Sequence, residues 1–240
     1  MDSSILLPGD ILPKELLPTS ANKALKLGPG LRHLPPSTIK ATVAGTVTKD
    51  NKKNAVWMEY NGGRYVPQPN DLVIATIARS AGEYYNCTIT SHAPPALLHQ
   101  LAFEGASKKT RPQLHSNDLI YARVLSASKH ADVELECFNT NTGKGEGLGP
   151  LKGGCIWDVS CQFARRLMMG KRGGLVVLNE LSEKVAFEVA VGRNGRVWVS
   201  AANGDVRVPI IVGRALQECD EKNLDEKAQR ECVRRLLKGI

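Results

Sequence analysis

The chain has 240 residues, 42% of them hydrophobic, with 32 Lys and Arg against 24 Asp and Glu, a net charge of +8 and a pI near 9.2. That length admits one large domain or two to three small ones, and the positive excess favours an anionic partner such as nucleic acid. No apolar run reaches the roughly 18–20 residues that cross a bilayer, and aromatics at 5% exclude a broad platform for stacked bases.

The N-terminus has no basic region followed by an apolar core, so no signal peptide is expected. Residues 1–60 carry Pro8, Pro13, Pro18, Pro29, Pro35 and Pro36, a density that rules out long helices. Short apolar pieces lie between turn signals such as Pro8-Gly9-Asp10 and Gly28-Pro29-Gly30. Residues 42–47 and 55–60 read as strands, joined by a polar turn over 49–53. So short and proline-rich a piece buries little core alone, which predicts a small β domain leaning on something else.

Residues 61–147 contain two echoing segments, 70–78 and 117–125. Each is an Asn-Asp turn entering an apolar strand, and each is followed by a second strand, over 84–90 and 133–138. A further short strand or turn falls near 97–103. Five short strands in this span suit an oligonucleotide/oligosaccharide-binding (OB) barrel. Alternation places Tyr85, Cys87 and Ile89 in the core and Tyr84, Asn86 and Thr88 outside, so Tyr84 can stack on a base or pack at a domain seam. Ser107-Lys108-Lys109-Thr110-Arg111-Pro112 sets three cations within four residues of a loop, where they can hold phosphates or simply be solvated. The glycine-rich stretch 139–154 fits neither the dinucleotide pattern nor a P-loop and reads as a flexible crossing.

Residues 148–240 begin with a strand over 155–159. Ser160 can cap a helix over 161–169, and a second helix covers about 175–184. Between them Gly170-Lys171-Arg172-Gly173 has two cations in the variable places of a Gly-x-x-G loop. Next come two β-branched runs flanking Asn194-Gly195, the pair that a type I′ hairpin turn prefers. A two-residue turn would pair Val191 with Trp198 and put Trp198 on the face of Phe187, Val189 and Val191. Both faces are partly apolar, so local helices should cover one and a neighbouring domain or partner the other. A helical tail follows. Strand, helix, loop, helix, hairpin, helix is the K-homology (KH) order, and KH domains clamp RNA backbone at Gly-x-x-G.

Six cysteines show no Cys-x-x-Cys spacing, so no zinc site is expected, and they read as reduced, mostly buried thiols. No histidine lies in a protease or hydrolase motif, and Glu134 and Glu136 read as solvent-facing acids on one strand face. No enzyme, no catalytic residue, no metal and no cofactor is therefore expected.

Gly192-Arg193-Asn194-Gly195 resembles the Gly-x-Asn-Gly signature of the cap subunits of the RNA exosome. The resemblance extends over Pro8-Gly9-Asp10, residues 27–31, Arg64-Tyr65-Val66-Pro67, residues 105–112, residues 118–124 and on to Trp198. It implies a multi-domain chain, mainly β plus α/β. An N-terminal β domain (1–60) would dock on a ring of RNase-PH-like subunits, followed by an S1-like OB barrel (61–147) and a KH-like α/β domain (148–240). It implies a non-catalytic subunit of nucleus, nucleolus and cytoplasm that lines a channel entrance and guides single-stranded RNA to a 3′–5′ exoribonuclease on another subunit. Its partners would be ring and other cap subunits, with no membrane and no homo-oligomer. Lys108, Lys109 and Arg111 become the first candidates for RNA contact, with Tyr84, Lys171 and Arg172 behind them. Gly192, Asn194, Gly195 and Trp198 read as a structural motif. A stand-alone OB/KH RNA-binding regulator and a purely architectural subunit are the alternatives.

Overall fold

The structure is a computed structural model that describes residues 5–18, 24–91, 93–128, 130–140 and 142–237, with the side chains of Lys171 and Arg172 outside that description. The chain divides into two compact units, Met1–Gly62 and Gly63–Ile240.

In the first unit, strands β1 (Ile5–Leu6), β2 (Lys26–Leu27), β3 (Leu31–Leu34), β4 (Thr38–Ala41), β5 (Gly45–Asp50) and β6 (Ala55–Glu59) form two small sheets. One has the order β1-β5-β6-β2 and the other is the β3–β4 hairpin. Leu6, Leu12, Ile39, Ala41, Val56 and Met58 make a small core. The strand expected over 42–47 lies three residues later. Asp50 accepts from the amides of Lys52 (2.9 Å) and Lys53 (3.2 Å), which starts the turn only after Asp50 and draws Lys49 and Asp50 into β5.

The second unit opens with β7 (Leu72–Ala81), β8 (Tyr84–Thr88), β9 (Ala96–Phe103), β10 (Leu119–Ser128) and β11 (Ala131–Cys137). The order β11-β9-β8-β7-β10, with β10 also pairing to β11, closes a five-stranded OB-like barrel. Its interior is filled by Val73, Ile77, Tyr85, Cys87, Leu98, Ile120, Val124 and Leu135. Burial pushes the Cys87 thiol up to about 12, so it packs as a neutral apolar group. The segment expected as a short strand or turn near 97–103 is a full eight-residue strand. Glu136 does not face solvent. It is buried, takes a hydrogen bond from Thr140 Oγ1 (2.8 Å) and lies 3.8 Å from the Arg123 guanidinium.

The glycine-rich stretch is not a free crossing. Glu146 accepts from Asn139 Nδ2 (3.0 and 3.1 Å) and Thr142 Oγ1 (3.0 Å), and the Gly145 amide donates to Glu104 (2.9 Å). Strand β12 (Gly149–Leu151) then pairs with β10.

Next come β13 (Cys155–Asp158), α1 (Cys161–Met168), a 3-10 turn over Gly170–Gly173, α2 (Val177–Ser182), β14 (Phe187–Gly192), β15 (Arg196–Ala201), α3 (Arg207–Glu221) and α4 (Glu226–Leu237). Ser160 Oγ accepts from the Phe163 amide (3.1 Å) and so caps α1. The three-stranded sheet β13-β15-β14 carries helices on one face, where Phe163, Val177, Leu181, Val197, Val199, Val212, Ala215 and Leu216 are buried. This is a KH-type α/β domain with an added C-terminal helix.

Hairpin β14–β15 differs from expectation by one residue. Val191 pairs with Val197 and Ala190 with Trp198, leaving Arg193, Asn194 and Gly195 as a three-residue loop. Only Gly195 has positive φ (+78°), and its amide returns to the Gly192 carbonyl (3.1 Å), so the loop is a type I turn ended by a left-handed glycine. The slip moves Trp198 to the opposite face, with Ala190. There it packs with Ile74, Leu119, Tyr121, Leu151 and Ile156, closing the seam between barrel and KH sheet.

Candidate nucleic-acid interface

The Gly-x-Asn-Gly loop builds this seam. The β7–β8 ladder runs only as far as Thr76 opposite Thr88, so the backbone of Leu72–Ile74 has no strand on that side. Asn194 fills the gap: its Oδ1 accepts from the Ile74 amide (3.2 Å), and its Nδ2 donates to the Ile74 (2.9 Å) and Ile89 (2.8 Å) carbonyls. The Arg193 amide donates to the Leu72 carbonyl (2.7 Å), and Arg196 Nη1 donates to Thr76 Oγ1 (2.9 Å). A Cβ on Gly192 would lie 2.3 Å from Asn194 Oδ1 and 2.8 Å from the Ile74 nitrogen, so only glycine allows this approach. Across the seam Tyr121 donates to the Val191 carbonyl (3.1 Å), and burial raises its phenol above the ordinary range, which keeps it a neutral donor. Trp198 Nε1 donates to the Gly153 carbonyl (2.8 Å).

The basic loop leaves β9 after Phe103 and is a built turn rather than a loose connection. The Ser107 amide donates to Thr110 Oγ1 (3.0 Å), the Thr110 hydroxyl donates to the Gly105 carbonyl (3.2 Å), and the Arg111 amide donates to the Ser107 carbonyl (2.9 Å). Lys108 and Lys109 occupy the two middle positions of this turn, and both are exposed. From the barrel interior Tyr85 Oη donates to the Pro112 carbonyl (3.1 Å) and accepts from the Leu114 amide (3.4 Å). Arg111 is exposed, yet one of its guanidinium nitrogens donates to the side-chain carbonyl of Gln100 on β9. The Gln100 amide in turn donates to Ser80 Oγ (3.0 Å) and the Gly82 carbonyl (3.0 Å), so loop, β9 and the β7–β8 turn are tied together.

Tyr84 stands on that same β7–β8 hairpin, half exposed, with its ring edge-on to His99 (centroids 5.1 Å apart, 82° between planes). The pair sits in a shallow groove of about 350 Å³ with Leu97, Leu101, Leu125, Phe138, Glu134 and Glu136. The exposed carboxylate of Glu134 repels phosphate, so this surface suits a base or ribose better than a backbone.

Lys171 and Arg172 belong to the KH domain, in the 3-10 turn between α1 and α2, and their side chains lie outside the described residues. Both flanking glycines have local reasons. Gly170 sits at φ +58°, and a Cβ on Gly173 would fall 1.9 Å from the Arg166 carbonyl oxygen. The cations therefore form two groups: Lys108, Lys109 and Arg111 in one loop of the barrel, and Lys171 and Arg172 in the KH domain. Gln100 escaped sequence reading, and Tyr85, expected in the core and found there, has a role in anchoring the loop that alternation does not show. The signal of Gln100 in the sequence is weak: it follows His99 between the apolar pairs Leu97-Leu98 and Leu101-Ala102. Among the described residues no three His, Cys, Asp or Glu side chains are grouped to hold a metal ion.

Three family profiles match the chain in succession. Residues 25–64 match the exosome complex exonuclease Rrp40 N-terminal domain, residues 65–149 the S1 domain of exosome complex component RRP40, and residues 154–205 a KH domain. Exosome complex component RRP40 of Saccharomyces cerevisiae is 35% identical over 99% of this chain and 97% of its own. Its namesake in Schizosaccharomyces pombe is 35% identical over 93% and 91%, and that of Drosophila melanogaster 37% over 83% and 82%. A solved crystal structure assigned as an exosome complex RNA-binding protein superposes with a TM-score of 0.57 at 26% identity, covering 73% of this chain and 96% of that one. Carrying the three domains in this order and aligned with such relatives over nearly its whole length, the chain belongs to the RRP40 family of exosome complex components.

Proposed function

We propose that this protein is a non-catalytic, RNA-binding cap subunit of an exosome. In this reading it lines the entrance of a channel and steers single-stranded RNA toward a 3′–5′ exoribonuclease on another subunit. Residues 1–60 dock on RNase-PH-like ring subunits, residues 61–147 touch RNA and residues 148–240 form the KH side of the cap. The particle works in nucleus, nucleolus and cytoplasm.

The observation that carries this reading is the prebuilt turn that presents Lys108 and Lys109, with Arg111 beside them. Three cations on a fixed scaffold grip phosphates without reading sequence, which is what a conduit for many RNAs requires. Support also comes from the names of the relatives and from the S1 and KH matches.

The test is a reconstituted assembly carrying Lys108→Ala, Lys109→Ala and Arg111→Ala together. RNA affinity should fall by about tenfold, and the slope of log affinity against log salt should flatten by about two, since each lost single-strand phosphate contact removes about 0.7. Unchanged RNA protection would leave an architectural subunit. Tight RNA binding by the isolated chain, without ring proteins in a native pull-down, would favour a stand-alone regulator.

A further inference from the structure

We infer that Gln100 is a positioning residue for the basic loop, holding the Arg111 guanidinium in the orientation in which it meets RNA. The inference rests on the reading of that loop as an RNA contact. Gln100 is only 5% exposed, and a buried amide must have its hydrogen bonds met. Its two amide hydrogens are directed to Ser80 Oγ and the Gly82 carbonyl. That pairing decides which way round the amide lies. Reversed, its carbonyl would face the Gly82 carbonyl and its NH₂ would face a guanidinium, two repulsive contacts. The side-chain carbonyl is thereby fixed toward Arg111, whose Nη1 donates to it.

One donor used in this way leaves the other N–H groups of the Arg111 fork available to a phosphate, and Arg111 is exposed. Holding the side chain before RNA arrives removes part of the ordering cost on binding. The side-chain hydrogen bonds of Gln100 go to Ser80, Gly82 and Arg111, so the effect belongs to one cation of the three. Tyr85 anchors the same loop through the Pro112 carbonyl and the Leu114 amide, which keeps the main chain in place when Gln100 is replaced.

The experiment is a double-mutant cycle on the full-length chain, with Gln100→Leu and Arg111→Ala singly and combined. Binding of a short fluorescein-labelled oligouridine is followed by anisotropy across a salt series. Gln100→Leu should weaken binding about threefold and flatten the salt slope by no more than the roughly 0.7 of one phosphate contact. It should add no loss in the Arg111→Ala background. Gln100→Met, of the same length and unbranched, gives the same comparison if the leucine variant does not fold. Wild-type affinity for Gln100→Leu beside a weakened Arg111→Ala overturns the inference and leaves the loop reading intact. So does an equal loss with and without Arg111, which would mark general damage to the barrel. An Arg111→Ala chain that binds as tightly as wild type overturns the loop reading itself, and this role with it.

Discussion

Asn194 shows how much one side chain can hold. Its amide satisfies three backbone groups of the barrel that no strand reaches, and it is itself buried. Asn194→Ala leaves the Ile74 N–H, the Ile74 carbonyl and the Ile89 carbonyl unpaired in a closed seam. A buried group without its partner costs about 1–3 kcal/mol, and partial rearrangement limits the sum. The expected loss is about 2–4 kcal/mol in urea denaturation, with the barrel and KH transitions separating. A variant within about 0.5 kcal/mol of wild type, the range of an ordinary surface change, would mean that the amide is dispensable.

At the scale of elements, the KH sheet depends on close approach between strand and helix. The indole of Trp157 on β13 packs against Gly213 of α3, and a Cβ there would lie 1.9 Å from the ring. Gly213→Ala must push α3 off the sheet or turn the ring out of its rotamer. The cost should be about 1–3 kcal/mol, typical of overpacking. Calorimetry should report a lower melting temperature, and tryptophan emission should shift to the red as water reaches the ring. An unchanged emission maximum would place the strain elsewhere. The basic loop is the contrasting element. It contributes little to any core, so changes at Lys108 and Lys109 should alter binding and leave the melting temperature almost untouched.

At the scale of the molecule, stability against acid has an identifiable contributor. Glu218 of α3 meets Lys222, the residue that ends that helix, and Arg235 on α4, both at 2.5 Å. The hydrogen bonds from Lys222 and then Arg235 hold its carboxyl down to about 2, below the ordinary value of 4.5. A carboxyl lowered by folding stabilises the native state above its unfolded pKa and loses that contribution as pH falls toward the folded one. Glu218→Gln should therefore melt below wild type at pH 7, and the gap should close between about pH 4.5 and pH 2. A gap that stays constant across that range would show that the pairing has no bearing on acid stability.

Much of this protein was legible in the residues alone. Proline density, five alternating runs and the strand–helix–helix–hairpin order are local signals, set by backbone sterics and side-chain period, and they led to the β domain, the barrel and the KH domain. The cap-subunit resemblance rests on short strings, and in one of them, Gly192 to Gly195, the geometry gives a reason for Gly192 and Asn194. Tertiary structure alone decided the rest. Asn194-Gly195 reads locally as a two-residue turn, but the unpaired edge of β7 draws Asn194 out of that role, shifts the hairpin by one residue and turns Trp198 toward the barrel. Glu136 looked like a surface acid until Arg123 and Thr140 closed over it. Gln100 becomes meaningful only when Ser80, Gly82 and Arg111, distant in sequence, converge on it. Periodicity reports the face a residue prefers, whereas the partners that satisfy a buried polar group come from elsewhere in the chain and are fixed only by folding.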